Sequence, residues 1–224
     1  CHQVNGWRGV KGVANRVSAV DQTFQDVSRF LFEKRWEYLH VDGKALVDSH
    51  VEHGELVHDP LRFKVIILPI ADTLPAGAWT RLLEFVAQGG KLVAIGEMPM
   101  NSDTEFPDLK VRDAFARVFE QNANAVFMAD WNAAALDDLL SGWLNKPVRL
   151  AIETQPMRLA HKMVDKHDVF FLINDSKSSV TATVTFDTDG KLEEWDPATA
   201  KIRPVSNETE IQLKPYHGKV YRTR

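Results

Sequence analysis

The chain has 224 residues, 44% of them apolar and 26% charged, with a formal net charge of −4; it is long enough to bury a sizeable core as one large domain or two small ones. Its acids and bases are interspersed rather than blocked, which excludes the basic footprint of a nucleic-acid or anionic-membrane binder. No apolar stretch approaches the roughly 20 residues needed to span a bilayer, and the N-terminus lacks the charged-then-apolar order of a signal peptide.

Taken in chain order, the apolar spacing Val20, Phe24, Val27, Leu31 predicts a helix over Val20–Lys34. Trp36–Val41 is aromatic and β-branched enough to predict a strand. His50, His53 and His58 then fall in a polar connecting segment with Glu52, Glu55 and Asp59; the geometry a metal needs is not specified by such a cluster, and no metal is expected. The run Val65-Ile66-Ile67-Leu68-Pro69 has the continuous apolar character of a parallel strand covered on both faces, with Pro69 marking its end. Trp79, Leu82, Leu83 and Val86 stand at i, i+3, i+4, i+7 and are closed by Gly89-Gly90, a helix with its C-cap. Lys91–Gly96 follows as a buried strand, Val111–Glu120 as a helix, Ala125–Ala129 as a strand, and Leu136, Leu139, Leu140 and Trp143 as another helical stripe. This alternation predicts an α/β domain of the flavodoxin or amidotransferase type, a mostly parallel sheet with helices on both faces.

Around Lys146-Pro147 the period changes from 3.6 to 2. The expected domains are therefore residues 1–147 and 148–224, the second a small antiparallel β-sandwich. Its strands are expected at Val169–Ile173, Val180–Phe186, Lys191–Trp195, Ile211–Leu213 and Lys219–Arg222, separated by turn formers such as Asn174-Asp175-Ser176 and Asp189-Gly190.

Chemistry is harder to find than fold. The strand at Lys91–Gly96 ends as Gly96-Glu97-Met98-Pro99, with no Ser or Cys on the sharp turn where hydrolases of this architecture carry a nucleophile. Cys1 is the only cysteine, which excludes an internal disulfide and a zinc site built on several thiolates. It marks either a segment boundary or the first residue of a mature lipoprotein. Gly89-Gly90 follows a helix rather than opening one, so it is not a phosphate loop, and Gly6, Gly9 and Gly12 lack a preceding strand and read as an irregular arm. No catalytic set and no cofactor emerge. The candidate binding residues are Asp72, Glu97 and Asp130, each just past a parallel strand where α/β sheets bind ligands, with Trp131 placed to stack on a sugar ring. Acids in such loops also cap helices.

Trp36–Pro69 and Leu83–Pro99 together resemble the glutamine-amidotransferase-like domain that follows the catalytic barrel in several bacterial glycoside hydrolases, through an "x-G-x-L" element, the V-I-I-L-P strand and a "V-x-x-G-G-x-L-V" passage. HKMVDKHDVFFLIN at His161–Asn174 and LEEWDP at Leu192–Pro197 are similar to the "H-R … D-x-Y-F-x-x-N … E-x-W-D-P" signature of α-L-rhamnosidase-like enzymes, glycoside hydrolase family 106 and its relatives. Lys162 stands where the signature has Arg, Phe170 where it has Tyr, and Ala200 where "D-P-x-T-G" places Gly. The resemblance implies a non-catalytic C-terminal segment whose main partner is an upstream β/α barrel of the same polypeptide carrying the catalytic carboxylates. It implies a periplasmic or extracellular setting, with a carbohydrate and a second copy of the chain as further candidate partners.

Overall fold

The structure, a computed structural model, describes residues 13–153, 155–197 and 199–224; Cys1, Gly6, Gly9 and Gly12 lie outside the described residues. Contacts divide the chain into two units, one holding the described residues up to Val27 with Leu39–Leu136, the other Ser28–Tyr38 with Asp137–Arg224.

Helix α1 (Val13–Glu33) begins earlier than its apolar stripe and buries Val27, Phe30 and Leu31. It ends without a glycine. Arg35 takes the left-handed conformation at φ 61°, while Arg35 N–H and Trp36 N–H donate to the carbonyls of Phe32 (3.2 Å) and Leu31 (2.9 Å), the bond pattern of a Schellman cap. A non-glycine residue there is strained, and its side chain is buried at a desolvation cost that an ion pair and hydrogen bonds counter. Arg35 is 2% exposed, paired with Glu153 and bonded to the carbonyls of Glu33 and Met157. The strand expected at Trp36–Val41 does not form. Its apolar character belongs to an anchor: Trp36 is buried, its indole N–H donates to Asp137 at 3.0 Å, and Lys146 lies 4.7 Å from its ring centre.

In the first unit, Asp42 caps α2 (Gly43–Asp48) by accepting from Ala45 N–H. The expected polar connection is instead an antiparallel meander, β1 (His50–Glu52), β2 (Glu55–His58) and β3 (Leu61–Phe63). His53 and Gly54, at φ 53° and 78°, make the two-residue type I′ turn between Glu52 and Glu55. Leu56 and Val57 are buried, whereas Arg62 joins Glu52 and Glu55 on the outside.

The central layer is a three-stranded parallel sheet ordered β4 (Val65–Pro69), β5 (Lys91–Ile95), β6 (Ala125–Met128). Leu92 and Ala94 of β5 share a core with Trp79, Leu82, Phe85 and Val86 of α3 (Ala76–Ala87) and with Val111 and Phe115 of α4 (Leu109–Gln121). Val93 and Ile95, on the opposite face, are also fully buried, so both faces of β5 are covered. Asp108 caps α4 through Lys110 and Val111 N–H. Asn132 accepts from Ala135 N–H at the start of α5 (Ala133–Trp143), which buries Leu136 and Leu140.

Gly89-Gly90 close α3 as expected. Gly89 is left-handed at φ 102°, and Gly89 and Gly90 N–H donate to the carbonyls of Val86 (3.1 Å) and Phe85 (2.9 Å). A Cβ at Gly90 would lie 2.2 Å from the buried Phe85 ring, whereas one at Gly89 meets nothing. Gly90→Ala is therefore expected to lose about 1–3 kcal/mol through overpacking, and Gly89→Ala about 1–2 kcal/mol through backbone strain alone. Urea denaturation checks both, and a shifted Phe85 ring in the Gly90 variant alone separates the two causes.

The second unit contains two antiparallel sheets. One is ordered β13 (Glu208–Leu213), β10 (Val180–Phe186), β7 (Val148–Leu150). The other is ordered β12 (Lys201–Val205), β11 (Leu192–Asp196), β14 (Gly218–Thr223), β9 (His167–Asn174), β8 (Met157–Val164). In β10, Ala182, Val184 and Phe186 are buried, and the Thr181, Thr183, Thr185 series takes the other face. Phe186 packs against Phe170 and Tyr221 of the other sheet at 5.1 and 4.8 Å, so the two sheets share one core.

Ala200, which stands where the resembled signature has glycine, adopts φ 55° as its N–H bonds the carbonyl of Asp196. Ala200→Gly is expected to stabilise the protein by about 0.5–1 kcal/mol, because relief of left-handed strain exceeds the entropy glycine adds to the unfolded chain; a lower thermal midpoint would contradict this.

Candidate functional site

The end of the parallel sheet is shaped by two left-handed residues. Ile70, at φ 45°, donates to Ile95 O, and Gly96, at φ 82°, donates to Met128 O, both at 2.8 Å. A Cβ at Gly96 would stand 2.8 Å from Ile70 Cγ1, so only glycine lets these two chain exits run side by side. The exits carry Asp72 and Glu97. Arg16 of α1 bridges them, with Nη2 at 2.5 Å from Asp72 Oδ2 and 2.7 Å from Glu97 Oε2. Its hydrogen bond to Glu97 outweighs partial burial and raises its pKa further, so it stays protonated. Asp72 is held from behind: Asn101 Nδ2 donates to its Oδ2 at 3.1 Å, and Met100 and Asn101 N–H donate to its carbonyl. Asn101, 3% exposed, in turn accepts from the Trp79 indole at 2.7 Å.

Two of the four predicted binding residues are thus brought together, around a cation that the periodicity of α1 did not announce. Asp130 is exposed beyond β6, and among the described residues no hydrogen bond or ion pair joins it to Asp72 or Glu97. Trp131 is half-buried beside it. Among the described residues the strands of the sheet are neighbours in chain order, so no reversal of strand order opens a crevice among them. The turn after β5 bears Glu97, and the hydroxyl nearest in sequence, Ser102, is 3% exposed and engaged with Thr104 and Glu105 N–H. Among the described residues no three His, Cys, Asp or Glu side chains converge as metal ligands, and His50, His53 and His58 are spread along the meander.

The rhamnosidase-like signature residues lie in the second unit, where Asn174, His161 and Asp168 tie segments together. Asn174 is fully buried and donates to the carbonyls of Ser178 (2.7 Å) and Lys214 (3.0 Å). Glu194, beside the signature Glu193, accepts from Arg203 Nη2 (2.8 Å), Lys219 (3.1 Å) and Tyr221 (3.0 Å). Burial disfavours its charge, but these donors outweigh burial and hold its carboxyl below the usual range. Tyr221 is pushed up by burial first and then by Glu194.

His161 stacks on Phe170 at 4.6 Å and places its two ring nitrogens against carboxylates, Nδ1 at 2.9 Å from Glu37 and Nε2 at 3.0 Å from Asp168. Burial pulls its pKa down, but the two carboxylates outweigh burial and raise it above its ordinary 6.5. Its stabilising contribution is therefore complete below about pH 6.5 and is lost as pH rises through the raised folded value. His161→Gln should cost about 1–2 kcal/mol at about pH 6, tempered by the exposure of Glu37, and much less at about pH 9; urea midpoints at the two pH values check the sign.

No protein-family model matches the sequence, and no curated protein matches it significantly. Solved structures do match in fold. A rhamnosidase from Novosphingobium sp. PP1Y superposes with a TM-score of 0.66 at 19% identity over 85% of this chain and 20% of its own. A catalytic mutant of Gan42B, a GH42 β-galactosidase from G. stearothermophilus, gives 0.64 at 14% identity over 97% and 38%. Alpha-L-fucosidase isoenzyme 2 from Paenibacillus thiaminolyticus gives 0.52 at 11% identity over 92% and 45%. The structural neighbours are glycoside hydrolases. Nearly all of this chain takes part, yet it spans only a fifth to under a half of each neighbour. No helix among the described residues is long and apolar enough to cross a membrane.

Proposed function

We propose that this chain is a non-catalytic segment of a longer carbohydrate-active enzyme of the glycoside hydrolase type, with an amidotransferase-like α/β domain over residues 1–147 and a β-sandwich over 148–224. Its role in this reading is to support an upstream catalytic barrel or contacts between subunits. The observation that carries the proposal is the asymmetry of coverage: almost the whole chain matches glycoside hydrolases of three named activities, but only a minor share of each. A portion common to a rhamnosidase, a galactosidase and a fucosidase is a poor place for chemistry specific to one sugar. The turn after β5 supports the same reading, since Glu97 stands where a nucleophile would be and is engaged by Arg16. The purified chain is expected to release no aryl alcohol from nitrophenyl α-rhamnoside, β-galactoside or α-fucoside. Turnover of any of them that co-purifies with the folded chain overturns the proposal.

A further inference from the structure

The outer face of the five-stranded sheet carries a feature that the structural roles above do not use. Burial alternates along β11, β14 and β9, with Leu192, Tyr221, Phe170 and Leu172 facing the core; Trp195, Val220 and Phe171 therefore face away from it. The strand registers place these side chains in one straight row: Ile202 pairs with Trp195, Trp195 with Val220, Val220 with Phe171, and Phe171 with Ala160. The ends of the row are open, Ile202 at 53% and Phe171 at 39% exposure, and its centre is half-buried. With strands about 4.8 Å apart, the strip from Ile202 to Phe171 is about 14 Å long.

A second row runs alongside it through Pro204, Glu193, Arg222, Val169 and Lys162. Glu193 is neutralised, because Arg224 and the Trp195 indole occupy its oxygens. Arg222 lies 5.3 Å from the Trp195 ring centre, and among the described residues neither it nor Lys162 makes a hydrogen bond or ion pair with the protein. The two cations thus stand on the same edge of the apolar strip, two strands or about 10 Å apart.

The geometry points to a binding strip for an acidic oligosaccharide, laid across the strands with the C–H faces of its rings on Ile202, Val220 and Phe171 and its carboxylates turned to Arg222 and Lys162. The apolar faces of pyranose rings suit a flat apolar and aromatic surface. Arg222 faces Glu193 across the strand pair but makes no hydrogen bond with it, so its guanidinium still offers a fork of donors matched to a carboxylate. The separation of the cations is the span of two linked rings, so every second carboxylate on one edge of the sugar chain meets a positive charge. A neutral glycan uses the strip but not the cations, and a purely apolar partner leaves Lys162 without a counter-charge and Arg222 with only Glu193, which Arg224 already pairs. The choice of a carbohydrate as ligand rests on the proposed function; the place and its charge preference rest on the sheet.

The test is calorimetric titration of the whole chain with tetragalacturonate and with cellotetraose, together with the indole N–H signal of Trp195, assigned through Trp195→Phe. Tetragalacturonate is expected to shift that signal, to bind more weakly as salt rises, and to bind at least tenfold more weakly to Arg222→Ala and to Phe171→Ala. Cellotetraose is expected to bind at least tenfold more weakly than the acidic tetramer. Absence of heat and of a shift, equal binding of the two sugars, or binding indifferent to both substitutions overturns the inference. So does self-association in sedimentation that disappears in Phe171→Ser, which assigns the strip to a second copy of the chain. Hydrolysis of aryl glycosides by the chain removes the accessory reading and leaves the strip intact, whereas a silent titration removes the strip alone.

Discussion

Trp79→Ala is expected to destabilise the first unit by about 3–5 kcal/mol, the range for removing a buried tryptophan. The side chain is 1% exposed, meets Phe115 of α4 edge-on at 5.1 Å, and donates its indole N–H to Asn101 O at 2.7 Å. Two losses therefore add: a cavity between α3 and α4, and the support of the loop that carries Asn101. Trp79→Phe separates them, since it keeps most of the packing and leaves one buried carbonyl without its partner, at about 1–2 kcal/mol. Because Asn101 holds Asp72, the alanine variant should also loosen the cluster of Arg16, Asp72 and Glu97. Hydrogen exchange of the β5 amides and of Met100 and Asn101 N–H reads both effects; unchanged protection in the loop would show that Asn101 is held without Trp79.

The second large effect is expected at Glu194. Glu194→Ala should cost about 2–4 kcal/mol, because it strands the buried Tyr221 hydroxyl and the Lys219 ammonium at once. Arg203 contributes less, its side chain being 63% exposed and its pairing screened by water. Glu194→Gln, which can still accept from Tyr221, should recover part of the loss. The pH dependence has the opposite sense to that at His161. A carboxyl depressed in the folded state stabilises fully above its ordinary value of 4.5, and that contribution is lost as pH falls through the folded value. The two groups together set a window of greatest stability between about pH 4.5 and 6.5 for the second unit. The Glu194→Ala penalty, followed by exchange of the β14 amides, should shrink on acidification below that window and stay constant above it.

These residues also show where sequence reasoning stopped. The rhamnosidase-like signature was legible as a pattern, but spacing alone assigned Asn174 and the acids near Trp195 no particular contacts. Several of them are buried polar groups whose partners come from other strands, which an order of letters does not display. The acids past the parallel strands were legible as a group because each follows a recognisable apolar strand. Arg16, which organises two of them, is 56 and 81 residues away from its partners and carried no local signal.

Local physics determined the strands Val65–Pro69 and Lys91–Ile95, helix Ala76–Ala87 with its Gly89-Gly90 cap, and the inward face of Val180–Phe186. In each of these, apolar periodicity and turn chemistry agree within a few residues. The missed elements are those in which the two disagree. The β8–β9 hairpin turns on Asp165 and Lys166 at φ 50° and 66°, without the glycine that announces such a turn, and edge strands β8 and β12 leave Met163, Val164 and Ile202 exposed, so no alternation is visible. Trp36–Val41 failed in the other direction, since its apolar residues were read as pairing in a sheet when Trp36 is buried by contacts with Asp137 and Lys146 and Leu39 is exposed. The absence of a nucleophile after β5 was a property of the sequence alone. That Glu97 there faces Arg16, and that Ile202, Trp195, Val220 and Phe171 align into one strip, was decided by tertiary structure, because both depend on register between segments distant in the chain.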